Sequence, residues 1–254
     1  MTPAQAAAAL AWLAEMGADE VVGEAPVDRF AASAQTTRTA VPPPAAAPVP
    51  RAASTPADLA SCGSLADVAA ALAVFDACPL KKTATNLCYA DGNPAARVML
   101  VGEAPGRDED LQGKPFVGRS GQLLDRMLAA IGLDRHAEDR ESAVFITNVI
   151  FWRPPGNRTP TEAETAMCLP FLLKTIEIQK PDVIVCLGAT PAHRLTGKSE
   201  GILKLRGKWT EATVSGRRIP LLPTLHPAYL LRQPAQKRLA WRDLLSLRQA
   251  LDAH

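Results

Sequence analysis

The residues with the greatest chemical potential lie in one stretch, Val98–Leu128, which reads VMLVGEAPGRDEDLQGKPFVGRSGQLLDRML. A turn holding Gly102, Glu103, Ala104, Pro105 and Gly106 follows a short apolar run, and its glycines permit positive φ and close approach of the backbone to a ligand. Four acids fall within eight residues (Glu103, Asp108, Glu109, Asp110), and Phe116 follows as an aromatic held in a loop. Ser120 is placed to cap a helix whose stripe is Leu124, Met127, Leu128 and Ile131, with Gly132 as its stop. A strand, an acidic turn, a loop aromatic and a helix start form the lip of an α/β sheet, where ligands bind. The turn is neither GxGxxG nor a Walker loop, so no nucleotide cofactor follows from it.

Further polar segments must meet this lip. Arg97–Val101, Ala143–Ile150, Asp182–Leu187 and Arg217–Leu225 are short, apolar and β-branched, and helical patterns separate them. Thr159, Pro160 and Glu162 form a helix start of the capping-box type, and that helix runs to about Gln179. A basic amphipathic helix over residues 234–251 closes the chain. The pattern predicts a three-layer α/β/α domain around a central four-stranded parallel sheet. Strand C-termini share one edge of such a sheet, so the segments opening at Glu103, Asn148 and His226 should converge there.

Charge adds a second constraint. Residues 193–248 hold twelve basic and three acidic residues, net +9, whereas residues 1–60 hold three basic and six acidic, net −3. A basic C-terminal third beside an acidic turn suggests a polyanion held by one surface and chemistry done by another. The expected organisation is a short helical segment over 1–27, a disordered Ala/Pro-rich linker over 28–58 and a domain over 59–254. The linker has almost no large apolar residues to bury, and its Pro-rich segment is either a site for a protein partner or only a spacer. Five cysteines, an odd number, argue against a disulfide framework. No apolar run is long enough to span a bilayer and no secretory pattern opens the chain, so the expected location is the cytoplasm.

The ordered segments GEAPGRDED, GKPFVGRSGQLL, ITNVIFWRPPGNRTPT and LHPAYLLR resemble the uracil-DNA glycosylase superfamily, and their pattern is most similar to the family-4, iron–sulfur type. The resemblance implies a monofunctional glycosylase, acting as a monomer, that flips uracil out of DNA and hydrolyses its N-glycosidic bond with water, leaving an abasic site. It implies that Phe116 stacks on the base and that Asn148 reads N3–H and O4. His226 would donate to O2 as negative charge gathers there. Backbone N–H groups around Gly102, Glu103 and Ala104 would hold a uracil oxygen. In the best-known branch an aspartate stands where this chain has Ala104, so the acid must come from Glu103 or Glu109, with Glu109 preferred. Tyr229, Leu230 and Arg232 fall in the segment that enters the duplex in relatives. Ser120, Arg153, Asn157 and Arg158 become phosphate or loop contacts, and Lys204, Arg206 and Lys208 add diffuse backbone binding.

The chain also departs from that pattern. Family-4 relatives hold a [4Fe–4S] cluster on four cysteines, whose positions here are Phe75, Cys78, Trp152 and Cys168. Aromatic rings cannot supply thiolate ligation, so the expectation is no cofactor and an aromatic-packed core in its place, unless Cys62 or Cys88 joins Cys78 and Cys168 to rebuild a site. One sub-branch traps its product through a histidine in an inserted basic loop; VGRSGQLL after Phe116 has neither. The competing reading is a damage-sensing DNA-binding module of the same fold, against which Phe116, Asn148 and His226 stand together.

Overall fold

The apolar runs become a six-stranded sheet in the computed structural model, which describes residues 57–253. In chain order the strands are β1 (Ala90–Gly92), β2 (Val98–Gly102), β3 (Val144–Asn148), β4 (Val183–Leu187), β5 (Thr210–Val214) and β6 (Arg217–Thr224), arranged spatially β1-β3-β2-β4-β6-β5. The four central strands are parallel, as expected. The edge strands β1 and β5 are antiparallel additions that the sequence pattern did not announce. β1 is three residues long with no large apolar side chain. β5 alternates buried Ala212 and Val214 with exposed Glu211 and Thr213, and meets β6 through Ser215 and Gly216, both at positive φ as a tight hairpin turn demands.

Because side chains alternate across a strand, each central strand feeds two cores. Met99, Val101, Phe145, Ile184 and Cys186 face one layer, made by α1 (Leu65–Val74) and α4 (Glu162–Gln179). Val98, Leu100, Val144, Ile146, Val183 and Val185 face the other, which includes α3 (Arg119–Ala129) and α8 (Lys237–Asp252). The short helices α2 (Arg107–Gln112), α5 (Ala189–Thr196), α6 (Ile202–Leu205) and α7 (Pro227–Arg232) complete the layers. Among the described residues no helix is long and apolar enough to cross a membrane. The segments expected over 1–27 and over most of 28–58 lie outside the described residues.

Three local expectations shift. Asp108, Glu109 and Asp110, expected as part of an acidic turn, stand on α2, which Gly113 stops at φ 69°. Helix α3 begins at Arg119 with Gly118 as its N-cap, leaving Ser120 inside the first turn rather than capping it. Helix α4 is capped by Thr161 with Glu164, not by Thr159 with Glu162. TPTEAE contains the T-x-x-E spacing twice, so spacing alone could not choose between them.

Candidate active site

The parallel register carries three polar segments to one edge. Gly102 pairs with Asn148 across β2 and β3, and the chain stays paired just beyond, Val149 N–H donating to Gly102 O at 2.9 Å and Ile150 N–H to Glu103 O at 3.0 Å. His226 follows the end of β6 and caps α7. Gly102 is a close-approach glycine rather than a positive-φ one: a Cβ there would lie 2.3 Å from Asn148 Oδ1 and 2.5 Å from Phe116 Cζ. Its missing side chain is what lets the amide and the ring share one slot.

That slot is a cavity of about 270 Å³ lined by Glu103, Ala104, Pro105, Gly106, Glu109, Phe116, Ser120, Asn148, Pro154, Asn157, Arg158, His226, Ala228 and Arg232. The Phe116 ring is buried and lies 5.4 Å from the His226 ring, tilted by 32°. Asn148 is 1% exposed, and its Oδ1 has no hydrogen-bond partner. A buried, unpaired carbonyl costs stability, and this acceptor stands open to a donor from outside the chain. His226 Nδ1 accepts from Ala228 N–H at 3.1 Å. Burial, helped by the charge of Arg232, pushes its pKa down to about 4. The neutral ring therefore carries its proton on Nε2, which is free to donate.

The two candidate glutamates differ in what they already hold. Glu109 is buried, its Oε1 accepting from Val117 N–H (3.0 Å) and Gly118 N–H (2.9 Å) and its Oε2 from Gly106 N–H (3.1 Å). Glu103 is half-buried and takes a hydrogen bond from the hydroxyl of Thr190 at the start of α5. Nothing in the residue pattern selects Thr190 beyond its place in the first turn of a helix.

The surrounding basic residues divide between surface and scaffold. Arg153 Nε donates to Asn157 Oδ1 at 2.7 Å. Arg158 grips the α4 capping residue Glu164 with two hydrogen bonds, at 2.9 and 2.6 Å, and holds that carboxyl down at about 2. Tyr229 is half-buried and Arg232 exposed, but Leu230 is fully buried with Leu123, Leu225 and Ala240, so it is core and not an exposed wedge. Arg206 is likewise committed inward, to Asp243 and Leu239 O, while Lys204 and Lys208 stay exposed. A second cavity, about 430 Å³, shares Glu103, Ala104, His226 and Arg232 with the first and extends over Gly188, Ile202 and Tyr229.

The four positions matching the family's cluster ligands do meet in space. Cys78 and Cys168 are fully buried with their sulfurs 4.0 Å apart. Phe75 and Trp152 stack with ring centres 6.4 Å apart, and Phe75 also packs on Phe171 at 4.9 Å. The contact between the two sulfurs pushes the Cys168 thiol up and pulls the Cys78 thiol down, so the pair favours one shared proton over two thiolates. Cys88 is turned away, its Sγ donating to Glu109 O at 3.1 Å. Among the described residues no group of three or more His, Cys, Asp or Glu side chains is placed to hold a metal ion. The residues present do not fit a four-thiolate cluster.

Fold and cavity together define an α/β domain that sets a buried aromatic ring, an unpaired amide oxygen and an imidazole at the C-terminal edge of a parallel sheet. The chain belongs to the uracil-DNA glycosylase superfamily, whose family model, described as "Uracil DNA glycosylase superfamily", matches residues 89–245. It is 45% identical over 171 residues to the Type-4 uracil-DNA glycosylase of Thermotoga maritima, covering 66% of this chain and 84% of that protein. Identity to the Type-4 enzyme of Archaeoglobus fulgidus is 42% over 175 residues, 67% and 85% of the two chains. For that of Pyrobaculum aerophilum it is 41% over 173 residues, 66% and 85%.

Proposed function

We propose that this protein excises uracil from DNA by hydrolysing its N-glycosidic bond, and that it does so as a single chain without an iron–sulfur cluster. The observation that carries the reading is the unpaired, buried Oδ1 of Asn148 beside the Phe116 ring and the Nε2–H of His226. Relatives named Type-4 uracil-DNA glycosylase support the substrate.

In this account DNA lies along the rim offered by Arg153, Asn157, Arg158, Tyr229 and Arg232, and the uridine swings into the slot. Phe116 takes one face of the base. Asn148 Oδ1 accepts from N3–H and its Nδ2 donates to O4. Cytosine presents an acceptor at N3 and a donor at C4, so both contacts would oppose it. As the C1′–N1 bond breaks, its electron pair moves into the pyrimidine and gathers on O2, where neutral His226 donates without first being protonated. Backbone N–H groups near Glu103 and Ala104 share that charge. Water adds to the cationic C1′ and gives up its proton to a carboxylate, the uracil departing as its N1 anion. We assign that water to Glu103, because the three backbone N–H groups held by Glu109 leave its carboxylate shaping the α2–α3 connection.

The cofactor reading rests on the aromatic pair at the Phe75 and Trp152 positions. The test is release of free base from oligonucleotides carrying uracil, thymine or cytosine at one site, read by mass spectrometry. Uracil alone should be released, leaving an alkali-labile site and an intact strand before alkali. Tight binding of uracil-containing DNA with no base release from wild-type protein would replace the enzyme by a sensing module.

A further inference from the structure

Phe116 occupies a backbone conformation that a phenylalanine does not choose. Its φ is 54°, in the left-handed region, where a residue with a Cβ is disfavoured and must be held by its surroundings. One side of its carbonyl is closed by the Gly121 backbone, since a Cβ on Gly121 would fall 1.8 Å from Phe116 O. The other side is met by Arg135, nineteen residues on in sequence, whose Nη2 donates to Phe116 O at 2.9 Å.

Arg135 does not line the cavity and has a side chain 4% exposed. Its Nη1 donates to Pro115 O at 3.2 Å and reaches Asp91 Oδ2 at 3.3 Å. Its Nε donates to Asp125 Oδ1 at 2.8 Å, and Nη2 approaches the same oxygen at 2.7 Å. Four of these contacts are hydrogen bonds and the fifth is an ion-pair approach, so all three nitrogens of the guanidinium are engaged. Two go to consecutive carbonyls of the loop, and the others go to carboxylates on β1 and α3. A purely charge-balancing arginine would need only the carboxylates. The fork that spans both carbonyls sets the peptide plane from which the ring projects.

We propose that Arg135 is a positioning residue for base recognition, fixing the plane of the Phe116 ring in the slot. The inference rests on Phe116 being the stacking surface for uracil, as proposed above. Lysine keeps the charge but loses the planar fork, so Arg135→Lys is the informative change.

The experiment measures the single-turnover excision rate and inhibition by free uracil for Arg135→Lys. Both are read with Phe116 present and in a Phe116→Ala background, beside affinity for duplex carrying a tetrahydrofuran abasic analogue. With Phe116 present, we expect the rate to fall and the uracil inhibition constant to rise about tenfold, against about twofold or less in the Phe116→Ala background. Affinity for the abasic duplex, which offers no base to stack, should stay within about twofold. An equal loss in both backgrounds, or a parallel loss of abasic-duplex affinity, would reduce Arg135 to a general structural role. If Arg135→Lys does not fold, Asp125→Asn loosens the same guanidinium from a side chain 46% exposed and should show the same dependence on Phe116. Wild-type protein that neither excises uracil nor is inhibited by it would instead defeat the functional reading itself.

Discussion

Replacing Asn148 by alanine should separate stability from activity. In the unliganded protein its Oδ1 is buried without a partner, a state that costs about 1–3 kcal/mol. Alanine removes that cost but leaves a small void in the slot, which costs a comparable amount, so the net change in stability should lie within about 1 kcal/mol. For a domain of this size that is a Tm shift within about 4 °C. Activity should move far more. Two hydrogen bonds to the base edge in a water-poor slot, each contributing about 1–2 kcal/mol, correspond to a loss of about 30- to 1000-fold in kcat/KM. Single-turnover excision from a uracil-containing duplex, beside calorimetric melting of the same preparations, measures both. Activity within about threefold of wild type would refute the assignment of Asn148 to the base edge. A Tm fall well beyond 4 °C, with activity tracking the folded fraction, would show that the amide is structural.

Gly102→Ala places a methyl group where Asn148 Oδ1 and the Phe116 ring already sit, so it should cut uracil excision by about 100-fold or more while circular dichroism reports a folded domain. His226, pushed down to about 4, is neutral through the physiological range, so excision should show no histidine limb near pH 6.5 and should fall only as pH approaches 4. A limb near 6.5 that disappears in His226→Gln would contradict the neutral donor. By linkage, unfolded chains take up a proton on this residue between 6.5 and about 4 that the folded protein refuses, so stability contributed here is lost as pH falls through that window. His226→Gln should flatten that part of the melting profile. Trp152→Ala opens a void in the aromatic cluster and should lower Tm by more than about 6 °C, with kcat of the folded protein within about threefold; a stable variant would mean the cluster does not brace the domain.

The central sheet was legible because buried parallel strands are written as apolar runs, and Val98–Val101 and Val183–Leu187 carry little else. Their alternation with helices is enough to bring Glu103, Asn148 and His226 to one edge. Features decided by which neighbour a polar group finds were not legible. β1 reads ADG and pairs only because β3 offers a free edge. The three backbone N–H groups that Glu109 accepts come from Gly106, Val117 and Gly118, and which loop amides turn toward a carboxylate is not written in the residue types. LHPAYLLR contains adjacent leucines, and a six-residue helix is too short for periodicity to say that Leu230 turns inward. Thr190 and Arg135 act on residues distant in sequence, a relation that single-sequence patterns do not carry.

Uracil excision and iron content measured on one preparation, purified without oxygen from iron-replete cells, bear most directly on the central claim. The account predicts stoichiometric release of uracil, an alkali-labile abasic site and colourless protein without bound iron or sulfide. Protein that carries a cluster and loses excision with it would contradict the account, as would cluster-free protein that binds uracil-containing DNA and releases nothing.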